Sequence, residues 1–264
     1  MSQTYCILLS INEENIEWAK THYPQFWNED LGDKKRTSFL LSRALLLQTL
    51  KTYYNISELP KISYNQHQKP CFESSNIAFN LTHSQNFIGL IISSQTTTLG
   101  IDIEAIIPRR NFLGLLQRTF TTPETQWILQ SESHDQSIDI REFSQIKNHP
   151  PLNNDEMIRF FLLWSAKEAY LKADGRGLQG LNTLCLNPKR STMSGDLNKG
   201  TLLLTTLSVA DTEALNSIAL YLPHNLLADL SIQTLAITSH HQAIYRPLSI
   251  KWDFQLLESD SLPS

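Results

Sequence analysis

The chain has little of what zinc proteins and secreted domains are built on. Only three cysteines occur in 264 residues, Cys6, Cys71 and Cys185, widely spaced and odd in number. No CxxC pair exists, so neither a zinc knuckle nor a disulfide framework is supported, and a reducing compartment is the natural home. HExxH, GxSxG, GxGxxG and GxxxxGK[ST] are all missing, and the GRG at 175–177 is too short to stand in for them. Zinc hydrolases, Ser-triad hydrolases and backbone-cradled nucleotide sites therefore lack their core residues. No apolar run approaches the ~20 residues of a membrane span. The short run Tyr5–Leu9 has no basic flank and is followed by Glu13, Glu14 and Glu17, unlike a secretory signal. A cytoplasmic protein without a membrane partner is expected. Basic excess is absent too: 22 Lys and Arg stand against 26 Asp and Glu, a net charge of −4. That argues against wholesale nucleic-acid binding, so any anion must be met by local clusters of Lys and Arg.

What is present is an ordinary globular composition, 41% hydrophobic and 18% charged, long enough for one large domain or two smaller ones. Residues 4–11 read as a first strand, and a helical pattern from about Lys35 to Tyr53 buries Phe39, Leu40, Leu45, Leu46, Leu47 and Leu50. Residues 60–72 hold two prolines and read as loop or edge strand. Two strong strand runs, Phe87–Ser93 and Leu99–Ile106, flank the polar Ser94–Thr98 and predict an antiparallel hairpin. Residues 130–156 are polar and patternless, an insertion loop. A helix from about Glu156 to Ala173 stops at Gly175 and Gly177, and short β-like runs fill 181–254. This order predicts an α+β fold rather than a regularly alternating parallel sheet.

Three short segments carry chemistry. In Gly100-Ile101-Asp102-Ile103-Glu104, strand parity sends both carboxylates to one face and both isoleucines to the core. Carboxylates about 6–7 Å apart suit a hard cation such as Mg²⁺; a solvated acidic strand face is the plainer alternative. In Trp164-Ser165-Ala166-Lys167-Glu168-Ala169-Tyr170-Leu171-Lys172, Glu168 and Lys172 are neighbours one turn apart. The pair is either an exposed stabilising one or, given its apolar company, a pair that needs a ligand. Phe79-Asn80-Leu81-Thr82-His83-Ser84 gathers hydroxyls and an imidazole at a turn, able to bond phosphate oxygens or to satisfy the turn's own backbone. Lys34, Lys35, Arg36 and Arg43 could clamp an anionic group, as could Lys69, though a solvated helix start explains the first three equally well.

Taken together, QKPCF (68–72), FNLTHS (79–84), GIDIE (100–104), RTFTTPE (118–124) and WSAKEAYLKADGRGL (164–178) resemble the 4'-phosphopantetheinyl transferases of the Sfp type. That family activates carrier proteins of nonribosomal peptide, polyketide and fatty-acid synthesis. The resemblance covers roughly residues 30–185. It implies two similar α+β lobes related by a pseudo-twofold, here 1–107 and 108–264, with coenzyme A in the cleft between them and a monomer as the working unit. It implies a Mg²⁺-dependent transfer of the phosphopantetheine arm to a serine of an acyl or peptidyl carrier protein, releasing 3',5'-ADP. Asp102, Glu104 and Glu168 match metal ligands, Glu168 also the candidate base, and Lys172 a lysine on the diphosphate. Lys35, Arg36, Arg43, Lys69, Thr82 and His83 match coenzyme A contacts, and Glu124 a recurrent acidic position. The segment after GIDIE, with Arg109, Arg110, Arg118 and exposed Phe112 and Leu113, is expected to receive the carrier. The competing reading is a catalytically silent coenzyme A-binding regulator or scaffold.

Overall fold

The computed structural model describes residues 3–108, 112–129, 151–197, 199–208, 214–238 and 240–258. It is an α+β protein of four layers, helices, sheet, sheet and helices, with α+β content as expected. The first sheet has the order β12-β11-β1-β5-β4, built from β1 (Thr4–Ser10), β4 (Ala78–His83), β5 (Phe87–Ser93), β11 (Leu230–Ile237) and β12 (Ala243–Pro247). Its outer face carries α1 (Glu13–His22) and α2 (Asp33–Tyr54). The second sheet has the order β6-β10-β9-β13-β8-β7, from β6 (Gly100–Ala105), β7 (Cys185–Asn187), β8 (Thr192–Ser194), β9 (Gly200–Ser208), β10 (Leu215–Pro223) and β13 (Phe254–Glu258). Its outer face carries α3 (Phe112–Thr119), α4 (Thr122–Leu129) and α5 (Asn154–Asp174). The strands β2 (Ile62–Tyr64) and β3 (Pro70–Phe72) form a separate ribbon.

Strand alternation builds three cores from this stack. In β1, Ile7 and Leu9 face α1 and α2, while Cys6 and Leu8 face the second sheet. In β10, Ile218, Leu220 and Leu222 point to the inter-sheet core, and Ala219 and Tyr221 to α5. In β6, Ile101 and Ile103 enter the inter-sheet core. The sheets exchange strands across residue 107: β6 belongs to the second sheet, and β11 and β12 return to the first, β11 parallel to β1.

The expected hairpin of Phe87–Ser93 with Leu99–Ile106 does not form. β5 pairs with β4 and β1, and β6 pairs with β10. The turn at 94–98 carries the chain from one sheet to the other, because Ile91 of β5 and Ile101 and Ile103 of β6 bury against each other face to face rather than edge to edge. The helix expected from Glu156 starts two residues earlier, on a capping box in which Asn153 accepts from the Glu156 N–H and Glu156 accepts from the Asn153 N–H. Most of the expected insertion loop, residues 130–150, lies outside the described residues. Among the described residues, no helix is long and apolar enough to cross a membrane.

Candidate functional site

The site forms where α5 lies on β6, and Gly100 permits the approach. A Cβ at that position would stand 1.9 Å from the Ala169 carbonyl oxygen and 2.8 Å from the Ala173 nitrogen, so a side chain there would push the helix off the strand. Ile101 and Ile103 face the opposite way, and strand parity therefore turns Asp102 and Glu104 toward α5. Lys172 Nζ donates to Asp102 Oδ1 at 2.7 Å, to Thr82 Oγ1 at 3.2 Å and to the Ile101 carbonyl at 3.3 Å. One helical turn earlier lies Glu168, and Trp164 Nε1 donates to Glu104 Oε1 at 3.2 Å.

β6 is an edge strand, and its open edge is closed by side chains instead of a ladder. Asn80 Oδ1 accepts from the Ile101 N–H at 3.2 Å, and Thr82 Oγ1 accepts from the Ile103 N–H at 3.4 Å. The Thr82 hydroxyl also donates to Asp102 Oδ1 at 3.1 Å. Two polar residues of β4 thus take the place of a missing strand.

Burial pushes the carboxyl of Glu168 above its ordinary range. The Lys172 charge opposes that shift, while Asp102 and Glu104 add to it, so all four charged groups share one electrostatic neighbourhood. Asp102 is only 4% exposed, and its Oδ2 is buried without a hydrogen-bond partner. An orphaned carboxylate oxygen among further carboxylates is chemistry that fits a hard divalent cation. Among the described residues, no three acidic, histidine or cysteine side chains already stand as a ligand group.

Glu104 also lines a cavity of about 1220 Å³ whose walls come from α2, the β2–β3 ribbon, the end of β4 and the end of β6. Lys34, Lys35, Arg43 and His83 supply its basic and imidazole groups, and Phe39, Tyr64 and Ile107 an exposed apolar wall.

Lys35, Arg43 and His83 therefore line one cavity with Glu104, while Asp102 and Lys172 pair with each other outside its lining. Three other residues point elsewhere. Arg36 spends its guanidinium on the carbonyls of Asn28, Glu29 and Leu31 and lies over the Trp27 ring. Lys69 donates to the Ala173 carbonyl at 2.7 Å, beside Gly175, whose φ of 82° ends α5. Burial lowers its pKa to about 8, the nearby Asp174 opposing. Thr82 is buried and bonded internally.

Phe112, expected exposed, packs edge-on against Phe160 and Phe161; Arg118 is exposed, and Arg109 and Arg110 lie outside the described residues. The recurrent acidic position Glu124 is a buried ion pair with Lys167 at 3.0 Å. Its carboxylate accepts from the N–H groups of Thr121 and Leu186 and from the Thr121 hydroxyl, and Lys167 donates to the Leu184 carbonyl. The pair locks α5 to α4 and β7. Phe39, expected on the buried side of α2, instead stands exposed on the cavity wall, and the parts played by Tyr64 and Lys167 carry no sequence signal, since only the fold shows what they face.

A helix carrying Glu-x-x-x-Lys thus lies against an acidic edge strand whose Glu104 reaches a basic-rimmed cavity. Residues 98–199 match the model of the 4'-phosphopantetheinyl transferase superfamily. The chain is 29% identical over 178 residues to slr0495 of Synechocystis sp., 67% of this chain and 61% of that protein. It is 29% identical over 154 residues to HetI of Nostoc sp., 56% of each chain, and 28% identical over 148 residues to ffp of Bacillus subtilis, 55% of this chain and 54% of that one. HetI and ffp carry the name 4'-phosphopantetheinyl transferase. The matches span under two thirds of these relatives' lengths. Residues 98–199 are thus similar to the 4'-phosphopantetheinyl transferase superfamily, and the relatives named for that activity are similar over about half of this chain.

Proposed function

We propose that the protein transfers the 4'-phosphopantetheine arm of coenzyme A to a serine of an acyl or peptidyl carrier protein and releases 3',5'-ADP. The observation that carries this reading is the meeting of Asp102 and Glu104 with Glu168 and Lys172 beside the basic cavity. The match of residues 98–199 to the superfamily model and the names of HetI and ffp support it.

In this reading the cavity takes coenzyme A. Lys35, Arg43 and His83 bind its anionic groups, and the apolar wall of Phe39, Tyr64 and Ile107 receives less polar parts. Lys172 turns its ammonium to the diphosphate. Asp102, Glu104 and Glu168 would hold Mg²⁺, which when bound neutralises the diphosphate and the charge growing on the leaving group. The carrier's serine hydroxyl attacks the pantetheine-side phosphorus. A serine oxygen–phosphorus bond forms, the bond from that phosphorus to the bridging oxygen breaks, and 3',5'-ADP departs with that oxygen. Glu168 takes the serine proton, directly or through water, on the carboxylate oxygen that does not face the ion. The same reading takes 1–107 and 108–264 as the two lobes, a cytoplasmic location and a monomer.

The test is the mass of each carrier protein from the same cell after incubation with this protein, coenzyme A and Mg²⁺. One carrier gaining the phosphopantetheine mass on its serine, with an equal amount of 3',5'-ADP and no reaction in excess chelator, is expected. No gain on any carrier would mark a silent coenzyme A binder, and 3',5'-ADP formed without a carrier would mark a hydrolase.

A further inference from the structure

The Lys172 ammonium sits in a cation site of its own. Three oxygens of different kinds surround it, the Asp102 carboxylate at 2.7 Å, the Thr82 hydroxyl at 3.2 Å and the Ile101 carbonyl at 3.3 Å, which matches the three donors of an ammonium. Asp102 is fixed on a strand and buried. Lys172 reaches it along a flexible four-carbon stem whose side chain is 28% exposed. The carboxylate cannot leave, and the ammonium can.

We propose that Lys172 is the resident counter-cation of Asp102 in the free protein, so that a divalent cation enters only when a diphosphate draws the ammonium away, with Thr82 the positioning residue of this latch. The inference rests on the proposed function for the identity of the diphosphate, but not for the latch itself. An ammonium and a divalent cation on one carboxylate would repel strongly at low dielectric, so they compete for Asp102. With its Oδ2 unpartnered, Asp102 has one charge-compensating contact among the described residues, the Lys172 ammonium, and whichever cation is present must supply it. A diphosphate offers Lys172 an equivalent partner and releases the carboxylate. The two ligands are then coupled through a single side chain, and the coupling is reciprocal.

The experiment measures Mn²⁺ affinity by electron paramagnetic resonance, with and without coenzyme A, for the wild type, Lys172→Met and Thr82→Val. Without coenzyme A, Lys172→Met should bind Mn²⁺ about tenfold tighter than the wild type, within the usual range for coupled sites. Its affinity should also depend less on coenzyme A. Thr82→Val, which removes one ammonium ligand and keeps the strand side chain's shape, should gain in the same direction by less, and Thr82→Ser should return to wild type. Lys172→Met binding Mn²⁺ no tighter than the wild type overturns the latch. If that variant does not fold, an unchanged or weakened Mn²⁺ affinity in Thr82→Val overturns it instead. Carrier modification by the wild type alongside such a result would leave the proposed function standing and remove only the latch. The stated affinity changes without any carrier modification would do the reverse.

Discussion

Asp102 and Glu104 owe their shared direction to the two-residue period of a strand, which is visible in the letters GIDIE before any fold is known. Glu168 and Lys172 are likewise one helical turn apart by count alone. Glu168 is where burial works against charge, and its consequences can be signed. A carboxyl whose folded-state pKa is raised contributes stability that is complete below the ordinary carboxylate range and is lost as pH rises through the raised value. Glu168→Gln in the metal-free protein should therefore melt above the wild type at pH 7, by scanning calorimetry, with the difference fading at acid pH. The same variant should lose about 100-fold or more in transfer rate if Glu168 is the base; near-full turnover would remove that role. Other residues were not legible in this way. Lys69 finds its carbonyl 104 positions along the chain, and Thr82 meets Lys172 90 positions away. A single basic or hydroxyl residue in a motif says that it matters and not which partner it meets.

Among the elements, the long helices and the first strand could be read closely, because apolar spacing and caps are local signals. α2 spans Asp33–Tyr54 where about Lys35 to Tyr53 was expected. The hairpin of β5 and β6 could not be read, because two apolar runs around a short polar turn fit an edge-to-edge pair and a face-to-face pair equally. What separates them is Gly100, whose missing side chain admits α5 and commits β6 to the second sheet. Gly100→Ala should cost about 3 kcal/mol or more in chemical denaturation, the upper range for an overpacked core. It should also weaken transfer beyond that loss, since the helix bearing Glu168 and Lys172 is displaced from Asp102. A stability within about 0.5 kcal/mol of wild type, the range of an inconsequential surface change, would contradict this close approach. The Glu124–Lys167 pair belongs to the same scale. Removing one partner of such a buried pair typically costs about 3–5 kcal/mol, which accounts for an acidic residue in RTFTTPE without giving it chemistry.

For the whole molecule, composition and element order led to α+β, and the structure has it. The interleaving of the sheets had no signature in the sequence: β11 joins β1 across more than two hundred residues, and β13 inserts beside β9 near the end of the described chain. That interleaving sets Asp102 of β6 against Lys172 of α5 and places Glu104 on the wall of a cavity that the basic face of α2 also lines. The central claim is that these carboxylates hold one divalent ion beside the diphosphate of coenzyme A. The direct measurement is phosphorus-31 relaxation of bound coenzyme A on adding Mn²⁺. In the wild type the two diphosphate resonances should broaden far more than the 3'-phosphate, and a variant with Asp102→Asn, Glu104→Gln and Glu168→Gln should lose that difference. Equal broadening of the diphosphate in the wild type and this variant would contradict the account.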